Sequence, residues 1–255
     1  MFSHAPGLQR ITGMLVAIAS LCVSPAAAAA AQDLQQSLVS ELKSQAEAAA
    51  STLSWAMADG HPLLLSVDQD RAVLETACHM LLPEQAQTLG FEDFGVLVQW
   101  VPVPPRMVGL YISAAGSGAA QNPGVSAFAD EIGLCMDSTI LLQSATARLT
   151  PVLFAEHPEW REDAIRLEGL AMVVAGTQQT LLGVMETAAA PGVPAAWRRA
   201  RLDTILLAAP DIAALLPADL CSKLYDYAQS RANETARSAD GAEWQSVAEA
   251  FACGR

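Results

Sequence analysis

Glu75 and His79 stand four residues apart in a segment with helical periodicity, so both side chains can face one side of a helix. A carboxylate and an imidazole in that arrangement sometimes hold a metal ion. His157, which precedes a predicted helix start, is the third candidate of this kind. No H-E-x-x-H motif is present, and histidines of this type are more often surface or capping residues. We therefore treat Glu75, His79 and His157 as weak catalytic candidates and predict no metal site.

Motifs for serine nucleophiles and for cofactors are nearly absent. Ser40 to Lys43 fits S-x-x-K, but no Ser-Asp-Asn or Lys-Thr-Gly follows it. The run Gly116-Ser117-Gly118 is neither a G-x-S-x-G elbow nor a complete dinucleotide-binding G-x-G-x-x-G. The chain also lacks a P-loop, so the sequence predicts no cofactor.

Four cysteines follow the N-terminal segment, and an even number in an exported protein favours two disulfides. Three connectivities are open. We favour the pairs in which each bond joins neighbouring predicted helices. No C-x-x-C pair exists, which argues against a redox motif or a zinc knuckle. The favoured pairs are Cys78 with Cys135 and Cys221 with Cys253.

Residues 94–129 differ from their surroundings because Arg106 is their one charged side chain. Two apolar runs rich in valine and aromatic residues flank the prolines at 102–105, a pattern that predicts a β-hairpin. Three glycines then predict a loop, and the whole insertion spans 94–124.

This neutral insertion has two interpretations. It could be a hairpin buried against the rest of the protein, which we favour, or a surface for a partner or ligand. Aromatic residues are enriched at interfaces. The residues of that candidate surface are Trp100, Arg106, Tyr111 and Phe128.

The elements that must position these residues are mainly helical. The sequence contains 49 Ala and 32 Leu, the two residues with the highest helix propensity, and only 5% aromatic residues. Hydrophobic periodicity predicts a mainly α fold, a bundle of about six or seven helices with the insertion at 94–124. We expect a single domain at 32–255, with the helices of 195–255 as a C-terminal subdomain.

The clearest helical pattern runs from Trp160 to Met185, where apolar residues alternate in steps of four and three. Gly169, Gly176 and Gly183 recur every seven residues on another face, which predicts that a second helix backbone packs closely there. Gln178 interrupts the apolar pattern, and it could fix the register of the helix or line a cavity.

Three arginines, Arg198, Arg199 and Arg201, form the one basic cluster of the sequence. They could bind an anion, but acidic residues such as Glu186 and Asp203 lie nearby. A solvated, salt-bridged face is the interpretation we favour.

The first 31 residues predict a signal peptide: Arg10 precedes an apolar run from Ile11 to Val23, and an alanine tract offers cleavage sites. We therefore expect an exported protein, periplasmic or extracellular, with no membrane span after signal removal. The net charge of −13 argues against a nucleic-acid partner, because phosphate contacts need clustered basic residues.

These observations predict an acidic, disulfide-bonded, exported helical protein that binds a partner in the cell envelope. That partner would be a protein or a small ligand, for example a basic enzyme to which this chain is an inhibitor or immunity factor. The alternative is a periplasmic hydrolase or metal-dependent enzyme with a scattered Glu and His site. The sequence leaves an enzymatic activity undecided, and we favour binding alone.

Overall fold

The computed structural model describes residues 38–116, 122–236 and 239–253, and this part of the chain is mainly helical. It contains nine helices of seven residues or more, a larger number than the predicted six or seven. They are α1 (Leu38–Ala58), α2 (Asp68–Ala77), α3 (Phe94–Trp100), α4 (Val103–Ala115), α5 (Ala129–Glu156), α6 (Ala164–Ala189), α7 (Ala195–Leu215), α8 (Ala218–Glu234) and α9 (Ala239–Ala250). None of them is long and apolar enough to cross a bilayer.

The predicted β-hairpin is replaced by the two helices α3 and α4. The prolines that suggested a hairpin turn instead start α4, since Pro104 and Pro105 lie in its first turn. A helix needs no backbone N–H donors there, and the fixed φ of proline suits that position. Valines and aromatic residues that suggested strands face the interior: Val98, Trp100 and Val101 are buried. Tertiary burial has overridden their β-propensity.

Helix α5 is the centre of the fold. Every residue from Asp137 to Ala147 is buried, about three turns of helix, so α5 is covered on all sides. Its side chains belong to two hydrophobic clusters. Ile132 and Leu142 pack into an N-terminal core with α1–α4, whereas Ile140 and Ala147 pack into a C-terminal core with α6–α9.

Toward the N-terminal core, the buried polar side chains of α5 bond to loop backbone. Glu131 Oε1 accepts a hydrogen bond from the backbone N–H of Leu65 (2.8 Å), and the Ser138 hydroxyl donates to the carbonyl of His79 (2.7 Å). Both loops contain backbone groups that no helix satisfies, and an unpaired group there would destabilise the fold. These bonds fix the position of α5 relative to the loops after α1 and α2.

Toward the C-terminal core, α5 packs along α7 through a polar interface. Arg201 Nη2 lies 2.5 Å from Asp137 Oδ2, and both side chains are buried. Gly133 makes room for this pair, because a Cβ atom at that position would overlap the Arg201 guanidinium. One helical turn from its end, α7 presents Asp211, which accepts a hydrogen bond from the Ser144 hydroxyl (3.0 Å).

Both predicted cysteine pairs lie at disulfide-bonding distance in the structure. Cys78 and Cys135 connect the end of α2 to α5, with Cα atoms 4.8 Å apart. Cys221 and Cys253 connect α8 to the segment that follows α9, with Cα atoms 6.1 Å apart. The second pair ties the segment after α9 to α8.

Helix α6 is buried along only part of the predicted apolar pattern. Burial is concentrated from Val174 onward, and Gln178 is among the buried residues. The expected close helix packing at the glycines is wrong for Gly176 and Gly183, since a Cβ atom there would meet no other atom within 4 Å. Their heptad spacing therefore marks no tight backbone contact.

Several predictions concern residues outside the described part of the chain. The expected signal peptide at 1–31 lies wholly outside it, and so do residues 117–121 of the predicted glycine-rich loop. The single domain at 32–255 and the subdomain at 195–255 remain predictions. The helices of that subdomain share the C-terminal core with α5 and α6.

Candidate binding surface at the turn between α5 and α6

The three weak catalytic candidates do not form one site. Glu75 is exposed on α2, whereas His79, just past the end of that helix, is half-buried and stacks on Trp100 with ring centroids 6.0 Å apart. Burial lowers the pKa of His79, and its Nε2 has no hydrogen-bond partner within the described chain. The imidazole is thus held mainly by packing, which is typical of a structural histidine.

His157 belongs to a different part of the fold, between α5 and α6. Its Nδ1 lies 3.1 Å from Glu159 Oε1. Among residues 38–116, 122–236 and 239–253, no group of three or more His, Cys, Asp or Glu side chains is placed to hold a metal ion.

The residues of the candidate surface in the neutral insertion are mostly internal. Trp100 and Tyr111 have no exposed surface, and the Tyr111 hydroxyl donates a hydrogen bond to the carbonyl of Leu63 (2.7 Å). Phe128 is partly buried against Tyr111, with ring centroids 5.4 Å apart. Arg106 alone of the four is exposed. The arrangement is the one expected if the insertion is part of the core.

The arginines of the cluster on α7 form ion pairs with other helices of the same chain. Arg198 Nη2 lies 2.7 Å from Asp240 Oδ2, and Arg199 Nε lies 2.6 Å from Glu243 Oε1, so both connect α7 to α9. Arg201 points the other way, into the interface with α5. The salt-bridged face that we expected is thus present for two arginines, with other acidic partners than those nearest in sequence.

A rigid aromatic arrangement lies at the turn between α5 and α6. The His157 ring stacks on Trp160 with centroids 4.4 Å apart and planes at 10°, and the Arg166 guanidinium carbon lies 3.6 Å from the Trp160 centroid. Two groups so close to one ring centre must occupy opposite faces of the indole. Phe91 completes the cluster, 4.8 Å from His157 by ring centroids. Stacking and cation–π contacts of this kind stabilise a defined geometry.

Asp163 fixes the start of α6 and the position of Arg166. Its Oδ1 accepts hydrogen bonds from the backbone N–H groups of Ile165 (3.0 Å) and Arg166 (3.2 Å), as an N-cap residue does. Its Oδ2 accepts a third bond from Arg166 Nε (3.1 Å). The turn is therefore held both by backbone capping and by side-chain stacking.

We call residues 152–171 the tip. Large apolar side chains are exposed in this segment. Ile165 is 62% exposed, Leu167 is 41% exposed and Val152, on the α5 side, is 39% exposed. Ala164 and Ala171, which continue the predicted apolar pattern, are exposed too. Leu167, Ala164 and Ala171 form the uncovered beginning of the stripe that the core buries from Val174 onward, whereas Ile165 lies outside that stripe.

Acidic groups surround this apolar surface. The tip contains five carboxylates and two arginines, and of the carboxylates only Asp163 is partly buried. The pKa of Glu159 is lowered, first by a hydrogen bond from its own backbone N–H and then by the bond with His157. The exposed carboxylates are Glu156, Glu159, Glu162 and Glu168.

Sequence periodicity included Trp160 and Leu167 in one apolar pattern but assigned the whole pattern to the core. A repeat in steps of four and three identifies a helix face and gives no information about what covers it. The aromatic cluster also needs Phe91, which is distant in sequence, so no local motif signals it.

Comparisons of the chain with protein-family models, with curated proteins and with solved structures found no match. The function therefore has to be inferred from the geometry and chemistry of the tip.

Proposed function

We propose that this chain is an exported, non-enzymatic protein that binds a basic partner protein in the cell envelope through the tip. The observation that carries the proposal is the set of exposed apolar side chains at the start of α6 and the end of α5. Ile165, Leu167 and Val152 expose apolar surface beside an ordered aromatic cluster. Exposed apolar surface with a polar rim is typical of protein interaction sites.

The charge of the tip supports a basic partner. Carboxylates outnumber arginines there, in line with the net charge of −13 over the whole sequence. An acidic rim speeds the encounter with a positively charged surface and repels acidic proteins. An inhibitor of a basic secreted enzyme, or an immunity factor against one, is a concrete form of this function.

The contacts within the tip also suit binding, because they hold it in one arrangement without a partner. Asp163 caps α6, and Trp160 is held between His157 and Arg166. A surface that is rigid in the free protein loses little conformational entropy on binding. Trp and Arg are, in addition, the residues most often found to dominate binding energy.

The alternative, a hydrolase or metal-dependent enzyme using Glu75, His79 or His157, has no supporting arrangement in the described residues. His79 is half-buried and stacks on the buried Trp100, and His157 belongs to the tip. Binding is the function that the described geometry supports better.

The proposal is tested by capture from envelope extract of the protein's own cells. The purified full chain without its signal peptide is immobilised as wild type, as the double variant Ile165→Ala/Leu167→Ala, or as Trp55→Ala. Trp55 is the matched control, since it is 74% exposed but lies on α1, away from the tip. Each capture is repeated at low and high salt.

We expect wild type and Trp55→Ala to retain the same basic protein at low salt, and high salt to weaken its retention. The double variant should lose it. Retention of that protein by the double variant, or capture solely of acidic proteins, contradicts the proposal. Recovery of the chain in the cytoplasm with residues 1–31 attached contradicts the export part.

A further inference from the structure

The exposed apolar residues of the tip lie on opposite sides of a helix. Ile165 and Leu167 are two positions apart, so their side chains point about 200° apart around the axis of α6. Val152 adds a third exposed side chain from α5, across the turn. A single flat partner surface cannot cover two opposite sides of one helix at once.

We propose that the tip inserts into a concave cleft of its partner, with basic walls that contact both sides of α6. This inference rests on the proposed function and specifies the kind of partner. Walls on both sides would bury Ile165 and Leu167 together, and lysine or arginine side chains at the rim would meet Glu162 and Glu168. A partner that covers one side would leave the other apolar residue in water.

The construction of the tip fits insertion. The stacked rings of His157 and Trp160, the Arg166 guanidinium over Trp160 and the Asp163 cap hold the turn in one conformation. An element that enters a cleft loses less conformational entropy when its own contacts hold it, and these contacts are all internal to the tip. Phe91 adds support at its base.

The test places a photo-crosslinking amino acid at one position of the full chain, replacing Ile165, Leu167 or Trp55. The chain is illuminated in its own cells, and mass spectrometry maps the partner residue attached to each position. We expect Ile165 and Leu167 positions to attach to the same protein at two separate segments, each containing lysine or arginine. The Trp55 position should give no adduct with that protein.

The protein identified by crosslinking is then purified, and its binding to Ile165→Ala and to Leu167→Ala is measured separately. If each residue is buried against a wall, each substitution should weaken binding about 30-fold. Leu38→Ala, a 53% exposed leucine on α1, is the matched control and should leave binding unchanged.

The two proposals fail in different ways. Adducts from one of the two tip positions alone, together with loss of affinity for that substitution alone, overturn insertion and leave partner binding intact. No adduct from either tip position, with capture unaffected by both substitutions, overturns the binding surface itself.

Discussion

Removing Arg201 tests how the buried ion pair between α5 and α7 contributes to stability. Arg201→Met keeps most of the aliphatic stem that packs between the helices but removes the charge facing Asp137. The side chains are 9% and 8% exposed, so water cannot replace the lost partner. An uncompensated buried charge of this kind costs about 3–5 kcal/mol of unfolding free energy.

The pKa of Asp137 agrees with the direction of this effect. Burial raises it from 3.8 to about 6, although the attraction of Arg201 acts in the opposite direction. Burial therefore disfavours the charged carboxylate even with its partner present. Without Arg201 the opposing effect is lost, and the pKa rises further. At neutral pH the variant must either bury a lone carboxylate or take up a proton.

The assay is urea unfolding at neutral pH with the disulfides intact, followed by far-ultraviolet circular dichroism. Arg199→Met is the control, since Arg199 lies two residues away on α7 and its 57% exposed side chain forms a surface pair with Glu243. That variant should lose much less stability, because an exposed ion pair contributes little to it. The double variant Asp137→Leu/Arg201→Met should recover most of the loss, because a well-packed apolar pair replaces the ionic one.

The stabilising role of the buried ion pair is refuted if Arg201→Met loses no more unfolding free energy than Arg199→Met. It is also refuted if the double variant is less stable than Arg201→Met, since the buried carboxylate would then not be the source of the loss. The comparison requires that the slope of unfolding free energy against urea concentration is the same for all the variants.

Four further predictions follow from the described contacts. The pKa of Asp137 is raised in the folded state, so between about pH 4 and 6 the folded protein binds a proton that the unfolded chain releases. This carboxyl therefore increases the free energy of unfolding as the pH falls through that window. Asp137→Asn should remove that part of the pH dependence of unfolding. Gly133→Ala should destabilise the fold, since its Cβ would overlap the Arg201 guanidinium. Gly176→Ala meets nothing within 4 Å and should leave the free energy of unfolding unchanged or raise it by up to about 1 kcal/mol. Thermal melts of the two variants test this difference. Trp100→Ala should cost about 3–5 kcal/mol in urea unfolding and Trp55→Ala less than about 0.5, and equal losses would contradict the burial assigned to these residues. Mass mapping of the non-reduced protein should find no free thiol at Cys78, Cys135, Cys221 or Cys253, and two or more free thiols among them would exclude the two cysteine pairs.

Composition and periodicity were enough to predict the fold class, because alanine and leucine dominate and their spacing repeats with the helical period. Residues 94–115 were misassigned for a physical reason. Valine, phenylalanine and tryptophan favour strands on local grounds, yet here they are held in helices by burial against α1 and α5. The start of α4 at the prolines could have been recognised from the tolerance of proline in a first turn.

The candidate site was harder to predict than the fold. Arg201 looked like part of a surface cluster with Arg198 and Arg199, and its burial depends on Asp137, 64 residues earlier in the chain. Periodicity assigned Leu167 to the core, but the amount of helix that neighbouring elements cover is a property of the assembled fold. The exposed half of α6 therefore could not be distinguished from the buried half by sequence pattern.

The position of α5 has a consequence for how this chain could be divided. Its side chains complete the hydrophobic cluster on one side and the cluster on the other, and its polar groups bond to the loops after α1 and α2 and to α7. A cut before α5 removes this helix from the N-terminal core, and a cut after α5 removes it from the C-terminal core. Gene fission could therefore yield two self-sufficient proteins only if the segment encoding α5 were duplicated, so that each product carried its own copy.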